Sequence, residues 1–160
     1  MAEEETDAGQ NDEDQKIIGI QKIYMKDVSF ETPNSPEIFT LEWQPTLSID
    51  VDSNAAALKD DLYEVVLSLT ATVKVDDKVA FLVEVQQAGI FLMQGVKPAE
   101  LQQMHNVFCL RTLYPYAAST VADLVTKGGF PQLVPQPMNF RAMYQQRMEA
   151  ARQAQAAEAE

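Results

Sequence analysis

Cysteine is almost missing from this sequence: Cys109 is the only one in 160 residues, so no disulfide can form within the chain. Histidine is as scarce, with His105 alone. A zinc site built from thiolate and imidazole ligands would need about two more such groups. Basic residues are few, 12 against 24 acids, giving a formal net charge of -12. That balance repels phosphate backbones and anionic lipid, and no basic stripe offsets it, which disfavours nucleic acid and favours basic partner segments. Long hydrophobic runs are absent too. Nothing approaches the ~18 consecutive apolar residues of a membrane-spanning helix. Met1 to Gln15 is acidic and without an apolar run, so it reads as neither a signal nor a transit peptide. With a single cysteine, the expected location is a reducing compartment, the cytoplasm.

Seven acids, Glu3, Glu4, Glu5, Asp7, Asp12, Glu13 and Asp14, precede the first base, Lys16, and the rest of the chain carries 17 acids against 12 bases. Residues 1–15 lack the apolar surface that offsets ordering entropy and are expected to be a disordered tail. Residues 16–149 are expected to form one domain, and 150–160, rich in Ala, Gln and Glu, a flexible end that could continue a helix but frays.

Within the domain, apolar residues alternate. Phe39, Leu41, Trp43, Pro45, Leu47, Ile49 and Val51 share one parity, predicting a strand over 39–51 with an edge or bulge at Pro45. Leu62 to Val75 alternates in the same way. Asp76-Asp77-Lys78 then turns the chain into a strand over 79–91, a hairpin. Ile18 to Phe30 is a fourth β segment. In the second half, Pro98 suits a first helical turn ahead of Leu101, Met104 and Phe108. Tyr114 to Thr126 is a second helical pattern stopped by Gly128-Gly129, and Asn139 reads as the N-cap of a third. Strands followed by helices predict an α+β fold: a four-stranded antiparallel sheet with helices packed on one face.

No catalytic constellation emerges. His105 and Cys109 lie four apart on a predicted helix, where a Cys–His pair could activate a thiolate. The plainer reading is a core cysteine near a partly exposed histidine. Gly128-Gly129 follows a helix rather than opening one, and no phosphate-binding glycine motif occurs, so no cofactor or metal is expected. Asp60-Asp61 and Asp76-Asp77 read as solvated turns. What remains concerns surfaces. Parity puts Leu82, Glu84 and Gln86 on one face of the last strand, opposite Phe81, Val83, Val85 and Gln87. On the first it puts Asp27, Ser29 and Glu31 on one face, opposite Tyr24, Val28 and Phe30. Asp27, Glu31 and Glu84 then share the open face of the sheet. The irregular segments 33–38 and 130–138, apolar and proline-rich, point to an exposed groove.

The runs Ile23-Tyr24-Met25-Lys26-Asp27-Val28-Ser29-Phe30-Glu31, Trp43-Gln44-Pro45, Tyr63-Glu64-Val65, Glu84-Val85-Gln86-Gln87-Ala88-Gly89-Ile90-Phe91, Tyr114-Pro115-Tyr116-Ala117 and Gly129-Phe130-Pro131 with Asn139-Phe140 resemble the SecB family of protein-export chaperones, over about Ile20 to Tyr144. The resemblance implies a homotetramer, a dimer of dimers, that binds unfolded preproteins without ATP and hands them to the SecA motor. It implies SecA docking at Asp27, Glu31, Leu82 and Glu84. A client groove would involve Phe39, Trp43 and Phe130, and a dimer–dimer contact Val83 and Val85; the cysteine common at the position of Val83 is absent here. The other readings are a small-molecule enzyme, which lacks a base, nucleophile or metal set, and a specialised relative holding one dedicated client, which sequence does not separate from a general chaperone.

Overall fold

The structure, a computed structural model, describes residues 15–159; the expected disordered tail, apart from Gln15, lies outside them. Four strands form one antiparallel sheet: β1 (Ile17–Glu31), β2 (Thr46–Ala57), β3 (Leu62–Val75) and β4 (Lys78–Gln94), in the order β1-β4-β3-β2. Helical structure follows: α1 (Pro98–Gln103), a π-helical stretch Met104–Cys109, α2 (Leu110–Lys127) and α3 (Phe140–Glu158). The α+β architecture is the expected one.

β3 and β4 form the central hairpin, and their odd-numbered residues Leu67, Leu69, Val83, Val85 and Phe91 are completely buried beneath α2. Each such side chain contributes about 1.5–3 kcal/mol relative to exposure. Asp76 and Asp77 make the turn with φ of 51° and 62°, left-handed at both positions, which matches the twist of the paired strands. Asp60 and Asp61 adopt the same region (50° and 63°) between β2 and β3.

Three expectations need correction. The second strand runs over Thr46–Ala57, not 39–51: Glu37–Thr40 winds into a 3-10 turn, with Thr40 Oγ1 donating to the Glu37 carbonyl at 2.6 Å and Ile38 N–H to the Asn34 carbonyl at 2.9 Å. These local bonds take up the backbone, and Pro45, which has no N–H, precedes the first ladder residue. Past Val51 the strand continues through Ser53 to Ala57 because it pairs with Leu67 to Tyr63, a long-range reason invisible in its own pattern. Second, the helices expected near Leu101 and over 114–126 are one unbroken helical run from Pro98 to Lys127. The π stretch shifts the buried stripe between them, and Pro115 sits inside α2. Third, β1 carries bulges between Ile20 and Lys22 and between Met25 and Asp27. The second flips parity, so Tyr24 lies on the same face as Asp27 rather than opposite it.

Asn139 caps α3 as expected, its Oδ1 accepting the Ala142 N–H at 3.0 Å. The helix continues through Glu158, exposed from Gln145 onward.

Candidate functional surfaces

Residues paired across antiparallel strands point to the same face, so the ladder maps the open side of the sheet directly. Glu84 pairs with Ser29 on β1 and Thr70 on β3, and Thr70 with Asp50 on β2. The next row is Asp27, Gln86, Ser68 and Asp52; the row on the other side is Glu31, Leu82, Thr72 and Ser48. Strands about 4.8 Å apart make each row about 14 Å wide. Asp27, Glu31, Leu82 and Glu84 are therefore near neighbours on one surface. Asp50 and Asp52 belong to the same surface and were not assigned to it, because the strand was expected to end at Val51 and its pairing with β3 is long-range.

One end of this face is clasped by a small network. Glu64 on β3 reaches across β4 to accept from Lys26 Nζ at 2.8 Å and, on its other oxygen, from the Tyr24 hydroxyl of β1. The hydrogen bond from Lys26, then that from Tyr24, holds the Glu64 carboxyl below its ordinary range. Burial, then the bond to Glu64, pushes Tyr24 up to about 12.

The second surface lies on the helix side, where Phe30 of β1 and Phe81 of β4 point. Phe130 is its hub, with ring centroids 4.9 Å from both Phe39 and Phe81, 5.8 Å from Trp43 and 6.5 Å from Phe30. Phe130 is 6% exposed, but Phe39 and Trp43 remain 50% and 37% exposed. Two glycines deliver Phe130 there. Gly129 has φ of +89°, open to glycine at little cost, and the Phe130 N–H bonds back to the Val125 carbonyl at 3.2 Å, closing α2. Gly128 leaves room for a neighbour: a Cβ there would stand 2.3 Å from Phe30 Cζ. The extended segment beyond is pinned where the Tyr114 hydroxyl donates to the Gln136 carbonyl. The structure thus brings Phe39, Trp43 and Phe130 into one cluster, half of it facing solvent.

Val83 and Val85 are placed differently from expectation. Both are wholly buried in the core of the protomer, so neither can touch a partner chain directly. His105 also differs: it is buried at 8% exposure, its ring 4.9 Å from that of Tyr63, and desolvation lowers its pKa. Cys109 is fully buried and burial pushes its thiol up to about 12, so it carries essentially no thiolate near neutral pH and makes no activated pair with His105. Among the described residues no helix is long and apolar enough to cross a membrane.

The sequence matches the family model described as SecB, preprotein translocase subunit SecB, over residues 11–151. It is 46% identical over 144 residues to the protein-export protein SecB of Methylococcus capsulatus, covering 90% of this chain and 93% of that one. To the protein-export protein SecB of Nitrosococcus oceani it is 46% identical over 161 residues, covering 99% and 98%. Its fold is similar to a SecB-like chaperone of Mycobacterium tuberculosis solved in complex with a ChAD peptide from the HigA1 antitoxin, with a TM-score of 0.65 at 16% identity over 76% of this chain and 91% of that one.

Proposed function

The chain belongs to the SecB family and is a chaperone of protein export, and on that premise we propose that it is a holdase: it binds unfolded preproteins, keeps them competent for translocation and delivers them to the SecA ATPase. The observation that carries this reading is the separation of two unlike surfaces. Client segments bind at the half-exposed aromatic cluster of Phe39, Trp43 and Phe130, where ring faces and adaptable apolar contact accept many sequences. SecA binds on the opposite, acidic side of the sheet at Asp27, Glu31, Leu82 and Glu84, joined by Asp50 and Asp52. Client and motor can then be held at once.

The working form is a homotetramer, a dimer of dimers, in the cytoplasm. In support, β1 is an edge strand whose Ile17, Ile18, Ile20, Met25 and Val28 are all exposed, an apolar edge that a lone protomer leaves as an aggregation hazard. Val83 and Val85, buried within the protomer, act on assembly indirectly, through the core they help to pack. A dedicated, antitoxin-linked client is the less supported alternative, since the relatives near 46% identity are export proteins and the antitoxin-bound structure is only 16% identical.

Light scattering of the protein with a chemically unfolded, slow-folding precursor tests the reading. A mass near four chains that rises by one client, with no complex for the folded precursor, is expected; a monomer that ignores unfolded protein would overturn it. Separately, Glu31→Lys or Glu84→Lys should weaken SecA binding while the tetramer and client binding persist. Unchanged SecA affinity at low salt would remove these residues from the docking face.

A further inference from the structure

The acidic face of the sheet is not free of cations. Lys22 shares the row of Glu64, Lys74 pairs with Thr46 in the row beyond that of Glu31, and Lys26 immediately precedes Asp27 in the chain. Lys26 is the extra residue of the bulge between Met25 and Asp27 and has no paired partner on β4. Both it and Asp27 reach the open side. Asp27 shares a row with Gln86, Ser68 and Asp52, and the Lys26 ammonium bonds to Glu64 on that same side. Of the three lysines, Lys26 is the one placed to compete for Asp27.

Glu64 takes that cation away. Lys26 Nζ donates to Glu64 Oε1 at 2.8 Å, and the Tyr24 hydroxyl donates to the other carboxylate oxygen. The bond from Lys26 foremost, then that from Tyr24, holds the carboxyl below its ordinary range, so it stays ionised as a counter-charge. The row of Glu64 lies four residues along β3 from Ser68, which belongs to the row of Asp27, a distance of about 14 Å at strand spacing. The lysine side chain is thus drawn toward that end of the face and away from the acids. The two side chains are 46% and 20% exposed, and an ion pair so open to solvent adds little to stability. What it decides is where a whole positive charge stands.

We propose that Glu64 is a positioning residue for docking on the acidic face: it holds the Lys26 ammonium away from Asp27 and leaves that carboxylate open to a basic element of the partner. This inference rests on the proposed docking of SecA at Asp27, Glu31, Leu82 and Glu84, and it concerns the same side of the sheet, which that docking requires to stay uncovered in the assembled protein. Without Glu64, the Lys26 ammonium either pairs with Asp27 or, unpaired, repels the approaching cation. Both outcomes subtract one charge of attraction at the place where the partner lands. Tyr24 serves the same end through Glu64, by engaging the carboxylate oxygen that Lys26 leaves free.

Titration calorimetry of SecA into the full chain at low salt tests it with Glu64→Gln, Lys26→Met and the double variant, each shown by light scattering to keep the unsubstituted protein's mass. Glu64→Gln should weaken SecA binding by about two- to fivefold, the scale of one exposed charge. Lys26→Met should not weaken it, and the double variant should bind as Lys26→Met does. The loss in Glu64→Gln should vanish near about 1 M salt, where screening reaches within about 3 Å. A merely structural clasp gives the opposite result in the double variant, because Lys26→Met breaks the ion pair too and cannot restore the hold on β1. Full affinity in Glu64→Gln, or a double variant as weak as Glu64→Gln, would overturn the proposal. Glu84→Lys in the same titration separates the two readings. Weakened binding there beside an unaffected Glu64→Gln removes only the role of Glu64, whereas full affinity in Glu84→Lys removes the docking face and this inference with it.

Discussion

Gly128 illustrates how one atom's width decides a site. Its backbone is ordinary right-handed helix, φ -72°, so conformational freedom is not what the position needs. It needs space: a Cβ would meet Phe30 Cζ at 2.3 Å and Cε1 at 2.7 Å, and Phe30 is itself stacked on Phe81 at 5.9 Å. Gly128→Ala is expected to destabilise the fold by about 1–3 kcal/mol in urea titration, the usual cost of overpacking. Phe30→Leu should recover part of the loss in the double variant. His105 makes a second residue-scale prediction. Its folded pKa is lowered by desolvation, so as pH falls through the unfolded-state value of about 6.5 the unfolded chain takes up a proton that the native one refuses. Stability should decline on acidification from that pH, and His105→Phe should flatten the decline. The lowered carboxyl of Glu64 acts in a separate, more acidic window, its stabilisation being lost as pH falls below the ordinary carboxylate range. A pH-independent stability between about 6.5 and 5 in the native sequence would contradict the placement of His105.

At the scale of elements, the β3–β4 hairpin is the organising unit, and its turn is the place to adjust it. Asp76 and Asp77 both occupy left-handed backbone, where a side chain costs energy that glycine avoids. Asp77→Gly should therefore stabilise the protein by about 1 kcal/mol, read as a higher midpoint of denaturation, while Asp77→Val should destabilise it. The helical run is organised differently. Its π stretch over Met104–Cys109 lets His105, Val107 and Cys109 all turn inward before α2 begins its own stripe of Leu113, Ala117, Val121 and Val125.

For the whole molecule, the two faces of the sheet differ in chemistry. One face is occupied by helices and ends in the aromatic cluster; the other stays open and acidic. Because Asp50 and Asp52 share rows with Glu84 and Asp27, they extend the acidic face across all four strands. If SecA docks on this face as proposed, replacing both by Asn should lower its affinity several-fold at low salt, measured by titration calorimetry, with a smaller effect at high salt. The clasp through Glu64 ties β1 to β3 at one end of this face, so Glu64→Gln should loosen β1 first, seen as faster amide exchange along Ile17–Tyr24 than along β3.

Much of this was legible in the residues alone. The strict alternation of β3 and β4, the Pro98 start and Asn139 cap of the helices, and the parity that grouped Asp27, Glu31, Leu82 and Glu84 are local patterns, and local patterns survive into the fold wherever one face is buried. The aromatic cluster was legible only as a set of names, because Phe39, Trp43 and Phe130 come from separate segments and meet only after α2 folds back over the sheet. The bulge at Lys26 that reverses Tyr24, the continuation of β2 to Ala57, the burial of Val83 and Val85 and the packing of His105 against Tyr63 each depend on a partner distant in the chain. Periodicity reports which side of an element is apolar; which neighbour covers that side is decided by long-range closure, and that belongs to the tertiary structure.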